Sequence, residues 1–234
     1  MLDLLRYIIL ICLKIYNSFP NKMFFLLKFP NTESQFVFSH IPKTGGTSIR
    51  GSIFHIVEKS TFIKPDWTYI FSFSICRNPY DRFLSAFSDF KDNRNQLITL
   101  HDTIDLLKNF NYNKAVSDLG SIEHHLLPQT HELFGTSKIN HFIHFEKFNE
   151  ELCNLFPNIK SNLVHNRKSK SSSYKQQLTQ TDYDIISNFY KYDFQLFDYK
   201  VHKIYFTRSC YLFLYLFATC LLVCAVFLII GVGK

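Results

Sequence analysis

The chain has 234 residues, 47% of them hydrophobic and 19% charged, enough for one medium domain with appendages and too apolar for a disordered chain. Lys and Arg number 26 against 19 Asp and Glu, a net charge of +7 that favours anionic partners: phosphates, sulfates, nucleic acid or an anionic membrane. Only seven Gly and seven Pro exclude collagen-like and linker-like chains.

Residues 1–30 form a first region. Its apolar run 7–13 is bracketed by Arg6 and Lys14, is too short to span a bilayer, and is followed by no small-residue cleavage site. With Lys22 and Lys28 the region reads either as a basic, aromatic-rich segment on a membrane surface or as an ordinary helix packed on the domain. One α/β domain is expected over residues 31–206. Its first strand is 35–40 (QFVFSH), followed by the turn IPKTGG and a helix over about 47–57. A second strand covers 69–76 (YIFSFSIC) and runs through RNPY into a helix reaching about Phe90. Then come a helix over about 99–110, a strand over 140–145 (NHFIHF) and a helix over 146–155. The basic, serine-rich run 167–175 reads as an exposed loop, and a last helix over about 181–192 takes Thr179 or Thr181 as its cap. Alternating strands and helices predict crossover units around a parallel sheet.

From Ser209 to Gly233 there is no charged residue, which predicts a transmembrane helix over 209–233. Lys200, Lys203 and Arg208 precede it and only Lys234 follows, so the positive-inside bias places the domain on the cytoplasmic side. Of six cysteines, Cys12, Cys210, Cys220 and Cys224 lie in the apolar ends. Cys76 and Cys153 remain, with no CxxC, no zinc-type spacing and no Asn-x-Ser/Thr sequon, which fits a reducing, unglycosylated compartment.

The most informative segment runs from His40 to Ser48 (HIPKTGGTS). It leaves a strand, turns tightly and opens a helix. Gly45 and Gly46 let the backbone approach a ligand, and the amides and dipole at the helix start favour an anion. Lys43 adds a charge, and Thr44, Thr47 and Ser48 add hydroxyls, so the segment forms a cradle for phosphate or sulfate. It is not a Walker sequence, in which the Lys follows the last Gly. A second anion site is expected from RNPYDRFLSAF: Arg77 lies just past a strand end, and Ser85 lies a little over two helical turns later, able to return over the same crevice. Asp81 and Arg82 read as helix-start charge and a local ion pair.

Taken together, PKTGGTS and RNPYDRFLSAF resemble the two nucleotide signatures of sulfotransferases, in particular the membrane-associated carbohydrate sulfotransferases and their bacterial relatives. His125-Leu126-Leu127-Pro128-Gln129 is similar to that family's His-Trp-x-Pro-Gln element, with Leu126 in place of Trp. The stretches 166–174 and 190–199 resemble its closing pattern. The resemblance covers about residues 35 to 200. It implies a P-loop-like parallel sheet flanked by helices, with 3′-phosphoadenosine 5′-phosphosulfate (PAPS) as sulfuryl donor. Lys43, Thr44, Gly45, Gly46, Thr47 and Ser48 would hold the 5′-phosphosulfate end, and Arg77 and Ser85 the 3′-phosphate.

The implied reaction moves a sulfuryl group to a hydroxyl of a carbohydrate or glycolipid. By analogy with phosphoryl transfer it needs charge neutralisation, in-line positioning and a base. Lys43 would stabilise charge on the leaving phosphate. His125 is favoured as base, with His124 and Glu123 as alternatives, and His40 supports the loop. Arg167, Lys168, Lys170 and Lys175 either close over the nucleotide, hold an acidic acceptor, or form a solvated loop. No metal is required and nucleic acid is not an expected partner. Two other readings stand beside this one: a P-loop-like nucleotide or small-molecule kinase, and a catalytically inactive, membrane-anchored anion-binding protein. The expected location is the cytoplasmic face of a membrane, with a Golgi membrane and a lumenal domain as the alternative.

Overall fold

The structure is a computed structural model and describes residues 23–28, 35–46, 59–62, 67, 71–156 and 171–202. The chain divides into two compact units, Met1–Val201 and His202–Lys234, and every element below belongs to the first. The helix expected at 47–57, the basic residues 167–170 and the transmembrane helix expected at 209–233 lie outside the described residues. Among those described, no helix is long and apolar enough to cross a membrane.

A five-stranded sheet organises the unit: β1 Phe24–Lys28, β2 Gln35–Ser39, β3 Lys59–Phe62, β4 Phe71–Cys76 and β5 His141–His144, in the order β3-β1-β2-β4-β5. The half formed by β2, β4 and β5 is parallel, as expected. The half formed by β3 and β1 runs antiparallel, which the expectation of a parallel sheet missed. Only residues 29–34 separate β1 from β2, too few for the crossover that a parallel pair needs. β1 corrects the reading of residues 24–28, while residues 1–22 lie outside the described residues. Its FFLLK alternates between half-buried and buried positions, so Phe25 and Leu27 enter the core and the strand sits inside the sheet.

The strand β4 shows why the sheet is buried on two sides. Phe73 and Ile75 join Phe38, Ile143, Phe25 and Leu27 in one apolar cluster, covered by Phe148, Leu152 and Phe156 of the following helical segment. On the opposite face Ser72 and Ser74 are fully buried, and their hydroxyls donate to the Lys138 and Ser39 carbonyls. Buried hydroxyls persist there because each has a partner.

Eight α-helices are described: α1 Pro79–Ser88, α2 Leu100–Lys108, α3 Tyr112–Ser117, α4 Ile122–Leu126, α5 Phe148–Leu155, α6 Ser171–Lys175, α7 Gln180–Phe189 and α8 Lys191–Leu196. Asn78 caps α1 by accepting from the Tyr80 amide, with Pro79 in the first turn. Thr99 and Asp102 form a capping box at α2, and Thr179 and Asp182 form one at α7. α1, α2, α4, α7 and α8 enclose a second core built on Phe83, Leu84, Phe90, Ile104, Leu126, Ile186 and Tyr190. The single helix expected at 181–192 is broken at Tyr190, and α8 then turns Asp193 and Phe194 inward. Part of the loop expected at 167–175 is helical. α6 is held on α1 by a Tyr174 ring against Phe87, a Tyr174 hydroxyl donated to Asp92 and a Lys175–Asp81 ion pair of 3.0 Å.

Candidate functional site

Three segments meet at the carboxyl ends of β2 and β4, the position where open α/β sheets hold ligands. The first is the glycine loop. His40 N–H donates to the Met23 carbonyl at the end of β2, and Ile41 packs with Met23, Leu127 and Phe134. Lys43 takes a left-handed backbone (φ 68°), a conformation that costs a non-glycine residue on the order of 1 kcal/mol. Thr44 is 1% exposed and its hydroxyl donates to the Ile41 carbonyl at 2.9 Å, so that hydroxyl braces the loop. Gly45 has φ 96°, and a Cβ there would stand 2.7 Å from the Phe145 ring. A Cβ on Gly46, where a helix opens, would overlap the His40 ring. The loop therefore needs both glycines in this packing. Thr47 and Ser48 lie outside the described residues.

The second segment follows β4. Arg77 donates from Nη1 to the Lys43 carbonyl at 3.1 Å and stacks its guanidinium 4.4 Å from the Phe145 ring centre. Its Nε is buried with no partner among the described residues, a donor that an anion would satisfy. Arg77 and Asp81 line an open groove of about 490 Å³ with Phe145, Glu146 and Phe148. Along α1, Ser85 stands one turn after Asp81 and one turn before Asp89, which is ion-paired to Lys43 at 3.3 Å. This spacing puts Ser85 on the same face of α1 as Asp81 and Asp89.

The third segment is 123–130, which takes in most of α4 and no strand. Its shape comes from buried polar side chains. Arg82, fully buried, donates from Nε to the Pro42 carbonyl and from Nη2 to the carbonyls of His125 and Leu127, at 3.0, 3.2 and 2.7 Å. It thus fastens this segment to the glycine loop. The expected local ion pair with Asp81 does not form, because Asp81 faces Lys175 while Arg82 points inward. Gln129 holds both backbone groups of Arg77, accepting from its N–H and donating to its C=O, each at 2.9 Å. Asp193 accepts from the Gln129 and Thr130 amides and the Thr130 hydroxyl at 2.8 to 2.9 Å. Burial pushes the Asp193 carboxyl up, against the Arg82 charge and these hydrogen bonds.

The three base candidates differ in placement. His124 is 1% exposed, with Nδ1 against the Ala115 carbonyl and Nε2 buried with no partner among the described residues. Glu123 is 5% exposed and pairs with Lys114 at 2.6 Å. His125 alone connects to Lys43. Its Nδ1 lies 2.9 Å from the Ser121 carbonyl, so that nitrogen carries the proton, and its Nε2 accepts from Arg94 Nη2 at 3.1 Å. Arg94 in turn reaches Asp89 Oδ2 at 3.0 Å, and Asp89 reaches Lys43. Burial, helped by the charges of Arg94 and Lys43, pulls the His125 pKa down to about 3.

Asp89 and Arg94 carried no signal in the sequence. Asp89 opens and Arg94 follows a π-helical turn, Asp89–Asn93, that continues α1 and brings both side chains to Lys43 and His125. Arg82, Gln129 and Asp193 were visible as parts of motifs, but their roles as fasteners were not. Among the described residues, no group of His, Cys, Asp and Glu could hold a metal ion.

No curated protein and no solved structure matches the chain. The pattern of the Sulfotransferase family matches residues 29–200, most of the chain and every segment of the crevice. With a glycine loop, an arginine-bearing strand end and a fastened His-x-x-Pro-Gln segment in one place, the chain belongs to the sulfotransferase family.

Proposed function

We propose that the protein transfers the sulfuryl group of PAPS to a hydroxyl of a carbohydrate or glycolipid. The observation that carries this reading is the meeting of Lys43, the two glycines and the half-satisfied Arg77 at one end of the parallel strands. The loop amides and Lys43 suit the 5′-phosphosulfate end. Arg77 Nε and Ser85 suit the 3′-phosphate. Thr47 and Ser48 complete the first set by sequence. In the transfer the donor S–O bond breaks as the acceptor oxygen bonds to sulfur. Lys43 neutralises charge on the departing phosphate, and His125 Nε2 takes the hydroxyl proton once Arg94 yields that lone pair and the donor's negative charge offsets the cations that, with burial, hold the imidazole's pKa down. The carbohydrate acceptor is proposed from the resemblance of the motifs. Membrane attachment through 209–233, with the domain on the cytoplasmic face, is proposed from the uncharged tail and the cations before it.

The test is binding of 3′-phosphoadenosine 5′-phosphate (PAP) to the full chain, with ATP and AMP as controls. PAP at ~100 times its Kd should raise stability by roughly 2.7 kcal/mol, and Arg77→Ala or Ser85→Ala should remove the gain. No stabilisation by PAP, or a larger magnesium-dependent one by ATP, would overturn the reading.

A further inference from the structure

We infer that Asp89 is a positioning residue that competes with the donor's anion for the Lys43 ammonium and, through Arg94, ties Lys43 to His125. The inference rests on the donor reading above. Lys43 and His125 lie far apart in the chain, yet one carboxylate and one guanidinium join them. Lys43 Nζ is 3.3 Å from Asp89 Oδ2, Arg94 holds the same oxygen from Nη2 and Nε at 3.0 and 3.2 Å, and Arg94 Nη2 reaches His125 Nε2 at 3.1 Å. Asn93 donates to the other Asp89 oxygen at 3.0 Å, which fixes the carboxylate plane. Arg94 is itself held by the Gly120 carbonyl and by the Phe90 face, 4.0 Å from the ring centre.

The pair has a reason to exist. Lys43 has only 18% of its side chain exposed and Asp89 10%, so either charge alone would lose hydration. Burial pushes the Lys43 pKa down, and Asp89 opposes that push. Burial would also push the Asp89 carboxyl up, but the Asn93 hydrogen bond and the charges of Lys43 and Arg94 outweigh it and hold it below the ordinary range. A donor anion entering the glycine loop offers Lys43 a second anionic partner. Lys43 then moves from Asp89 to the donor, while Arg94 stays on Asp89. When the product anion leaves, Asp89 recaptures the ammonium. The carboxylate thus weakens donor and product binding and keeps Lys43 charged and close at hand between turnovers.

Calorimetric titration of PAP into the full chain tests this with a double-mutant cycle. Asp89→Asn should bind PAP roughly three- to tenfold more tightly than wild type, because the competing charge is gone. Asp89→Glu should return affinity toward wild type. In a Lys43→Ala background, Asp89→Asn should gain nothing. Unchanged or weaker binding by a folded Asp89→Asn protein overturns the inference, and so does a gain that persists without Lys43, which would mean a general field effect. A second measurement is independent of the nucleotide: the rate at which Lys43 is acylated near neutral pH, read by peptide mass. Asp89→Asn should raise it several-fold by lowering the ammonium pKa, and an unchanged rate would show that the pair is not formed. Absence of PAP binding by the wild type would instead remove the donor reading, an outcome distinct from wild-type binding with no Asp89 effect.

Discussion

The two walls of the crevice are built by different means. The glycine loop is a local structure: a strand end, a left-handed Lys43 and two glycines whose missing side chains make room for Phe145 and His40. The 123–130 wall has no strand and only the short helix α4. It is held by Arg82, Gln129 and Asp193, buried polar groups contributed from α1, from within the segment and from α8. A wall made by backbone conformation can lose a side chain and keep its shape. A wall made by buried polar fasteners loses shape when one fastener goes, because carbonyls and amides are left without partners.

Substitutions should separate the two. Lys43→Ala should cut sulfuryl transfer by about 10²–10³-fold, the scale of one lost transition-state donor, with the thermal midpoint nearly unchanged. A midpoint collapse would show that Lys43 also holds the loop. Arg82→Met should cost about 3 kcal/mol in urea unfolding, since three carbonyls lose their donor at once. Asp193→Asn should cost about 2 kcal/mol, because whichever way the amide turns its NH2 meets a donor, the Gln129 N–H or the Thr130 N–H and O–H. Either change with wild-type stability would place the second wall on other supports.

The last test is a pH slope. His125 titrates near 3 in the folded chain against an ordinary 6.5, so between those values the unfolded state binds more protons. Stability therefore rises with pH across that window and is lost as pH falls from about 6.5 toward 3, by up to about 1.4 kcal/mol per pH unit. His124 and His131 are also shifted down by burial and add slope of the same sign, so the difference between wild type and His125→Asn isolates His125. Equal slopes in the two proteins would mean that His125 is more open to water than its contacts with Phe90 and Arg94 imply.

Much of the first wall was legible in the sequence. PKTGG between a strand pattern and a helix pattern has a short-range cause, β2, β4 and β5 fell where alternation put them, and of the two caps offered for the last helix the structure takes Thr179. β1 was misread because its flanking lysines and aromatics look alike on a membrane surface and on a sheet. Only pairing with β2 and β3 distinguishes the two. The sequence offers Arg82 only as helix-start charge in a local ion pair, since nothing adjacent to it shows that Pro42, His125 and Leu127 would bring their carbonyls to it.

By itself the sequence determined a basic α/β chain with a tight glycine turn after a strand, because glycine freedom, strand alternation and helix capping act over a few residues. It also singled out Lys43, Arg77, Ser85 and His125 as groups worth following. Only the tertiary structure decided that Lys43 faces Asp89, that Arg94 occupies the His125 lone pair and that His124 and Glu123 turn away. Those contacts join segments with no common periodicity. They exist because the two apolar cores bring α1, its π-helical turn, α4 and α8 onto the ends of the parallel strands, where burial leaves each polar group few partners other than one another.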